Sequence, residues 1–270
     1  MNADADLSIA ADLLREAREV VVFTGAGASA ESGIPTFRDD DGFWREFPVG
    51  EFATWRGIVR TALVRPRRLT QFVYAVLHPI ATAKPNAGHR AIAELERHTR
   101  VTVVTQNIDG LHGEAGNTIV RQIHGSLFEV VSLKGRFVAL LSRGEVRKIS
   151  RSLEKIRRGW FCLPRTLLAI RPWLGLGLRG LHRPKLVLFG DAMAEPDWSQ
   201  AREAVRRCDC LIQIGCSGVV WPAAELPQTA KAAGACVIAI DPQPTPADIW
   251  LRGTAAEVLP ALLERAFGGR

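Results

Sequence analysis

The sequence predicts an α/β fold: a doubly wound parallel sheet with a small inserted lobe. Three observations predict it. Short apolar runs alternate with amphipathic stretches over most of the 270 residues, the pattern of a parallel sheet covered on both faces. A glycine turn, Gly25-Ala26-Gly27, follows the first apolar run directly, as in sheets that bind phosphates beyond their strand ends. Two stretches, about 39–84 and about 131–182, break the alternation and read as insertions that together form the second lobe.

Each element has its own signal. Leu7, Ala10, Leu14 and Ala17 recur at helical spacing and predict a helix over 7–19. Val20-Val21-Val22-Phe23-Thr24 is a buried parallel strand by its continuous apolar run. A helix over 87–98 precedes a strand at 101–105, and a further strand at 119–123 ends at His124. Beyond the second insertion come a strand at 185–189, a helix near 197–207 and a strand at 210–214. A helix near 222–233, a strand at 236–240 and a helix near 255–266 complete the chain. The resulting division gives residues 1–38, 85–130 and 183–270 to the main domain, and 39–84 with 131–182 to the lobe.

Composition narrows the class. With 47% hydrophobic and 23% charged residues, the chain is neither disordered nor a coiled coil. Five cysteines is an odd number, and Cys208, Cys210 and Cys216 crowd one strand, so a disulfide framework is not expected and a reducing compartment is. The first residues lack a basic-then-apolar leader, and no stretch of 18 uncharged apolar residues exists. The expectation is a cytoplasmic protein without membrane contact. The net charge of +7 is unevenly spread: residues 132–183 hold three Lys and ten Arg against Glu145 and Glu154, a local +11 that leaves the remainder at −4. Such a patch fits nucleic acid or an acidic surface, but a solvated insertion accounts for it more simply, and nucleic acid is not the expected partner.

The chemistry gathers at strand ends. Gly25 and Gly27 permit a tight turn and close backbone approach to a pyrophosphate, whose charge backbone N–H groups can meet. The third glycine of the usual dinucleotide fingerprint is displaced, and no acidic residue ends a second strand about 20 residues on, so an ordinary dehydrogenase fits poorly. The continuation Ser32-Gly33-Ile34-Pro35-Thr36-Phe37-Arg38 makes the stretch specific. Thr105-Gln106-Asn107-Ile108-Asp109-Gly110-Leu111-His112 stands at another strand end, and His124-Gly125-Ser126 at the next. Asn107 and Asp109 alone would read as a cap or an Asx turn, and His124 alone as a satisfied histidine. Together at adjacent strand ends they cost stability unless they are used.

These segments, in this order, resemble the sirtuins, NAD-dependent protein-lysine deacylases with a Rossmann-like sheet. Weaker agreement runs through Pro85-Asn86-Ala87-Gly88-His89, Leu188-Phe189-Gly190-Asp191, Gly215-Cys216-Ser217 and Val220-Trp221-Pro222. The resemblance covers 15–130 and 183–262. It implies NAD as cofactor, acyl-lysine proteins as substrates, and O-acyl-ADP-ribose with nicotinamide as products. Gly25, Ala26, Gly27 and Ser29 would cradle the pyrophosphate, Arg38 would add charge, and Phe37 would cover the ribose face. Gln106 and Asn107 would orient the nicotinamide ribose, and Asp109 would bind the carboxamide. Gly215, Ser217 and Asp241 would meet the adenosine side, with Asp241 standing where the family has asparagine. His124 would be the general base, a task its ordinary pKa near 6.5 suits. Phe189 and Gly190 would pair with the substrate backbone as an added strand. His78, His89, His98, His112 and His182 are expected to be structural or surface groups, and the remaining cysteines buried thiols.

The chain departs from the family in the lobe. Sirtuins hold a structural zinc there on two cysteine pairs, whereas the interval from His124 to Arg183 contains only Cys162. Tetrahedral zinc needs four ligands, so no zinc is expected. A structural zinc can contribute ~10 kcal/mol or more, so something must replace it. The Arg/Leu/Gly/Trp bias fits a lobe that packs Leu and Trp instead, or equally a reading-frame slip restored near Arg183. Acid-selective relatives carry Tyr-x-x-Arg where this chain reads Gln71-Phe72-Val73-Tyr74, which points to neutral acyl groups. Two other readings stay open. One sends the same NAD chemistry to water or a protein side chain, as an NAD glycohydrolase or ADP-ribosyltransferase. The other is a non-enzymatic module that binds NAD or ADP-ribose, which would not need Asn107, Asp109 and His124 together.

Overall fold

A computed structural model describes residues 3–36, 43–157, 162–174 and 181–268. Its strands are β1 Glu19–Thr24, β2 Arg100–Thr105, β3 Val120–Gln122, β4 Gly125–Ser132, β5 Phe137–Leu140, β6 His182–Leu186, β7 Cys210–Ile214, β8 Cys236–Ile240 and β9 Ile249–Leu251. They form a six-stranded sheet in the order β3-β2-β1-β7-β8-β9 and a three-stranded sheet in the order β5-β4-β6. The first is parallel throughout and the second antiparallel. The chain divides into two compact units, one within 1–36, 84–123 and 195–270, the other within 37–83 and 124–194.

In the larger unit β1 is central, pairing with β2 on one side and β7 on the other. The strand order reverses there, which is the doubly wound topology expected. Val20, Val22, Val103, Ile212, Ile214, Ile238 and Ile240 pack into one buried cluster with Leu14, Ile92, Leu95, Leu259 and Leu262. Helix Ala3–Glu16 begins with Asp4 and Asp6, which favour its N-terminal dipole. Asn86 caps Ala87–Leu95 by accepting the His89 N–H at 3.1 Å. Thr254 and Glu257 form a capping box at the start of Ala255–Phe267. Helix Asp197–Arg207 buries Ala201 and Val205. The helix expected near 222–233 starts later, at Leu226, after the single 3₁₀ turn Ala223–Glu225. β9 has no counterpart in the sequence reading, because three residues carry too short a run to show a period.

The smaller unit corrects two expectations. The strand expected at 185–189 in the parallel sheet is β6, which ends at Leu186 and pairs antiparallel to β4. Residues 125–130 likewise leave the parallel sheet. Gly125 turns the chain just after β3 with φ +79°, and a Cβ on it would overlap the Lys185 carbonyl oxygen. Both segments belong to the second compact unit, which resumes at His124.

Helices Trp55–Val64, Pro66–Thr82 and Arg143–Ile156 make up most of the rest. Ser142 and Glu145 cap Arg143–Ile156 as a reciprocal box, and its Val146, Ile149 and Leu153 are buried. That helix packs on Pro66–Thr82. Arg143 reaches the Ile80 carbonyl and Arg147 Nε donates to the Ala81 carbonyl at 3.2 Å, so two of the surplus arginines serve a helix C-terminus. Trp173 is 4% exposed and its Nε1–H donates to the Leu127 carbonyl at 3.0 Å. A capped, regularly patterned helix over 142–156 is the signature of a lobe packed on apolar side chains. Among the described residues no group of three or more His, Cys, Asp or Glu could hold a metal. The smaller unit contains one cysteine, Cys162, so its residues do not fit a four-cysteine zinc site.

Candidate functional site

The site of the larger unit is assembled from the carboxyl ends of β1, β2, β7 and β8. Gly25 leaves β1 and caps the short 3₁₀ helix Ala26–Ser32. Its N–H donates to the Ile214 carbonyl and that of Gly27 to the Gly215 carbonyl, both at 3.0 Å. A Cβ on Gly27 would stand 2.6 Å from the Gly215 Cα, and one on Gly215 2.5 Å from the Gly27 Cα. Contact between two backbone segments thus dictates these glycines before any ligand is considered. Gly215 itself sits at φ +59°.

Ser29, Asn107 and Asp109 come together beneath this turn. Asn107 Nδ2 donates to the Gly25 carbonyl at 2.9 Å and to Ser29 Oγ at 3.1 Å. Ser29 Oγ donates to Asp109 Oδ2 at 2.7 Å, and Asp109 Oδ1 accepts the Leu111 N–H at 2.9 Å. Asn107 Oδ1 takes no hydrogen bond among the described residues and is the open acceptor of the cluster. Ser29 is fully buried and Asp109 nearly so. Gln106 Nε2 contacts Cys216 Sγ at 3.6 Å. Ser217 is exposed, while Asp241 is buried with Oδ1 accepting the Gln243 N–H at 3.0 Å. Phe37 and Arg38 lie outside the described residues.

Two histidines adjoin this cluster. His89 Nε2 lies 3.5 Å from Ser29 Oγ, and His112 Nε2 lies 3.0 Å from Thr24 Oγ1. Their rings approach to 4.8 Å between centroids. Burial, with the neighbouring His112 second, lowers the His89 pKa to about 3. Burial lowers that of His112 to about 4. Both rings are neutral at pH 7.

The other expected residues belong to the smaller unit. His124 is half-buried, and its carbonyl accepts the Val187 N–H at 3.0 Å. Phe189 is 56% exposed, its N–H donating to the Ala53 carbonyl at 2.9 Å. Gly190 follows at φ +92° in a turn closed by Asp191, whose Oδ2 accepts from the Leu188 N–H and from Trp55 Nε1.

The Sir2 family model matches residues 25–222. The chain belongs to the Sir2 family. An NAD-dependent protein deacylase of Mycobacterium tuberculosis is 38% identical over 251 residues, covering 91% of this chain and 97% of its own. A solved Sir2 enzyme structure superposes with a TM-score of 0.77 at 36% identity, covering 99% of this chain and 100% of that one. Sir2Af2 bound to a myristoylated histone peptide gives a TM-score of 0.70 at 31% identity, covering 97% of each chain. The sirtuin is accordingly an NAD-dependent protein deacylase. Among its described residues no helix is long and apolar enough to cross a membrane.

Sequence reasoning left His89 and His112 out of this sirtuin's site. Both stand inside the quoted motifs, and the usable signal was position: His89 is the third helical residue after Asn86, and His112 follows Asp109 by three. Thr24, read as a strand end, and Thr105, quoted at the head of its motif without a role, are buried hydroxyls in register with each other.

Proposed function

We propose that the sirtuin removes neutral acyl groups from protein lysines, with Asn107 and His124 as its catalytic side chains. The observation that carries this is the Asn107 amide: its NH₂ is anchored on Gly25 and Ser29, which fixes the orientation of its carbonyl. A fixed acceptor suits a ribose hydroxyl or a carboxamide better than a mobile one, because no ordering cost is left for binding. NAD is the co-substrate whose ribose C1′ accepts the acyl-lysine carbonyl oxygen as nicotinamide departs. Gly25, Ala26 and Gly27 meet its pyrophosphate, with Arg38 adding charge, and Phe37 covers the ribose face. Gln106 and Asn107 orient the ribose. Asp109 accepts from the carboxamide. Gly215, Ser217 and Asp241 serve the adenosine end. His124 removes the ribose hydroxyl proton, and that oxygen takes over the acyl group, leaving O-acyl-ADP-ribose and free lysine.

Phe189 and Gly190 offer the substrate backbone the Phe189 carbonyl and the Gly190 N–H, which have no partner among the described residues. Preference for neutral acyl groups rests on Pro66–Thr82. Tyr74 stacks on His78 at 5.0 Å and lies under the Arg157 guanidinium. Arg68 is committed to the Phe47 ring and the Glu46 carbonyl. The family relative holding a myristoylated peptide supports the same preference.

The test is nicotinamide release, with acyl transfer followed by mass, for the intact protein and His124→Ala. Release that requires an acetyl-lysine peptide and drops by ~10²–10⁴ in the variant is expected for loss of a general base. Equal release without peptide would overturn the proposal in favour of NAD hydrolysis.

A further inference from the structure

Two threonines interrupt the valine-rich strands of the central sheet. Thr24 closes β1 and Thr105 closes β2; they are register partners, 0% and 2% exposed. Valine has the same shape and would pack there without burying a hydroxyl, so the hydroxyls need a use. Thr24 Oγ1 donates to Thr105 Oγ1 at 2.8 Å, and Thr105 Oγ1 accepts the Asn107 N–H at 3.0 Å. The Asn107 side chain then returns to the carbonyl of Gly25, the residue after Thr24. The ends of β1 and β2 are closed into a ring of hydrogen bonds that includes the backbone and the amide of Asn107.

One group feeds this ring from below. His112 is 2% exposed, and its Nε2 lies 3.0 Å from Thr24 Oγ1. Thr24 has one proton and gives it to Thr105, so at its other side it accepts, and the His112 proton sits on Nε2. Neither His112 Nδ1 nor Asn117 Oδ1 makes a hydrogen bond of full geometry, and Asn117 lies close enough to the ring to raise its pKa against the effect of burial. A neutral ring is required for this arrangement, and complete burial keeps it neutral.

We propose that His112 is a positioning residue for deacylation, acting through the Thr24–Thr105 hydroxyl pair to hold Asn107 in register with its ligand. The inference rests on the role given to Asn107 above. Loss of the relay lets the Asn107 backbone shift while the sheet stays intact, and displacements of about 1 Å at a reacting centre can cost ~10²-fold.

The experiment compares Thr24→Val, Thr24→Ser, His112→Leu, His112→Gln and the Thr24→Val/His112→Leu double variant. Each is measured for kcat and KM in peptide-dependent nicotinamide release, with Asn107→Ala as reference. Thr24→Val and His112→Leu are expected to lower kcat ~10–100-fold with peptide KM within ~2-fold. Thr24→Ser keeps the hydroxyl, and His112→Gln places an N–H where Nε2–H stood, so both are expected to recover most of the rate. The double variant is expected to be no slower than the slower single, since both cut one chain. A Thr24→Val enzyme within ~2-fold of the parent, or losses that multiply in the double, would overturn the proposal. If Thr24→Val does not fold, the His112→Leu and His112→Gln pair decides: equal losses in both contradict it. Asn107→Ala separates the layers. Activity kept in Asn107→Ala sinks the site itself, whereas activity lost there but kept in Thr24→Val sinks only the relay.

Discussion

The two units of this sirtuin solve the same problem by different means. In the larger unit, backbone placement is forced by close contact, Gly27 against Gly215, and by buried polar groups that satisfy one another. In the smaller unit, order comes from helix caps, an apolar stripe of Val146, Ile149 and Leu153, and the Trp173 indole on the Leu127 carbonyl. The first kind of constraint tolerates almost no substitution; the second tolerates a good deal. This difference explains how the family's cysteines can be missing from one unit while the motifs of the other are intact.

Substitutions sharpen that contrast. Gly215→Ala combines a left-handed backbone with a Cβ 2.5 Å from Gly27, and a loss of about 4 kcal/mol is expected by denaturant unfolding. Leu153→Ala removes a fully buried side chain from the smaller unit and is expected to cost about 3 kcal/mol, depending on how far the site collapses. A near-zero effect would show that the stripe does not replace the metal.

Acid should act on the larger unit first. His89 and His112 stay neutral in the fold, with pKa values of about 3 and 4, while an unfolded histidine charges below about 6.5. The unfolded chain therefore binds more protons as pH falls. Stability is complete above about pH 6.5 and declines toward pH 4, by about 2 kcal/mol per ring at pH 5. Melting temperatures across this range check it, and replacing either histidine with asparagine should flatten the decline. The smallest effect belongs to Gly135→Ala in the smaller unit. Its φ is +76° but nothing lies within 4 Å of the new methyl, so about 1 kcal/mol is expected.

What could be read from the sequence follows the same division. The parallel strands were legible because runs such as Val20–Phe23 and Cys210–Ile214 are continuous, and their helices because apolar spacing survives to the surface. The turn after β1 was legible because Ser32-Gly33-Ile34-Pro35-Thr36-Phe37-Arg38 extends it, whereas Gly25 and Gly27 alone are accounted for by backbone contact with Gly215. His124, Phe189 and Gly190 were singled out through motif position; the strand before His124 lies in the parallel sheet as expected, but the one expected at 185–189 belongs to the antiparallel sheet. Antiparallel pairing of β4 with β6 depends on partners 50 or more residues apart, which a local pattern does not carry. The support beneath Asn107 was missed for a related reason: Ser29, His89, Thr24 and His112 meet only after folding, and singly each reads as an ordinary core polar residue.

We propose that the smaller unit works without the family's metal. The direct test is peptide-dependent nicotinamide release after exhaustive treatment with a zinc chelator. The account predicts an unchanged rate and an unchanged melting temperature, with metal analysis showing no stoichiometric zinc. A rate that collapses on chelation and returns on adding zinc would contradict it.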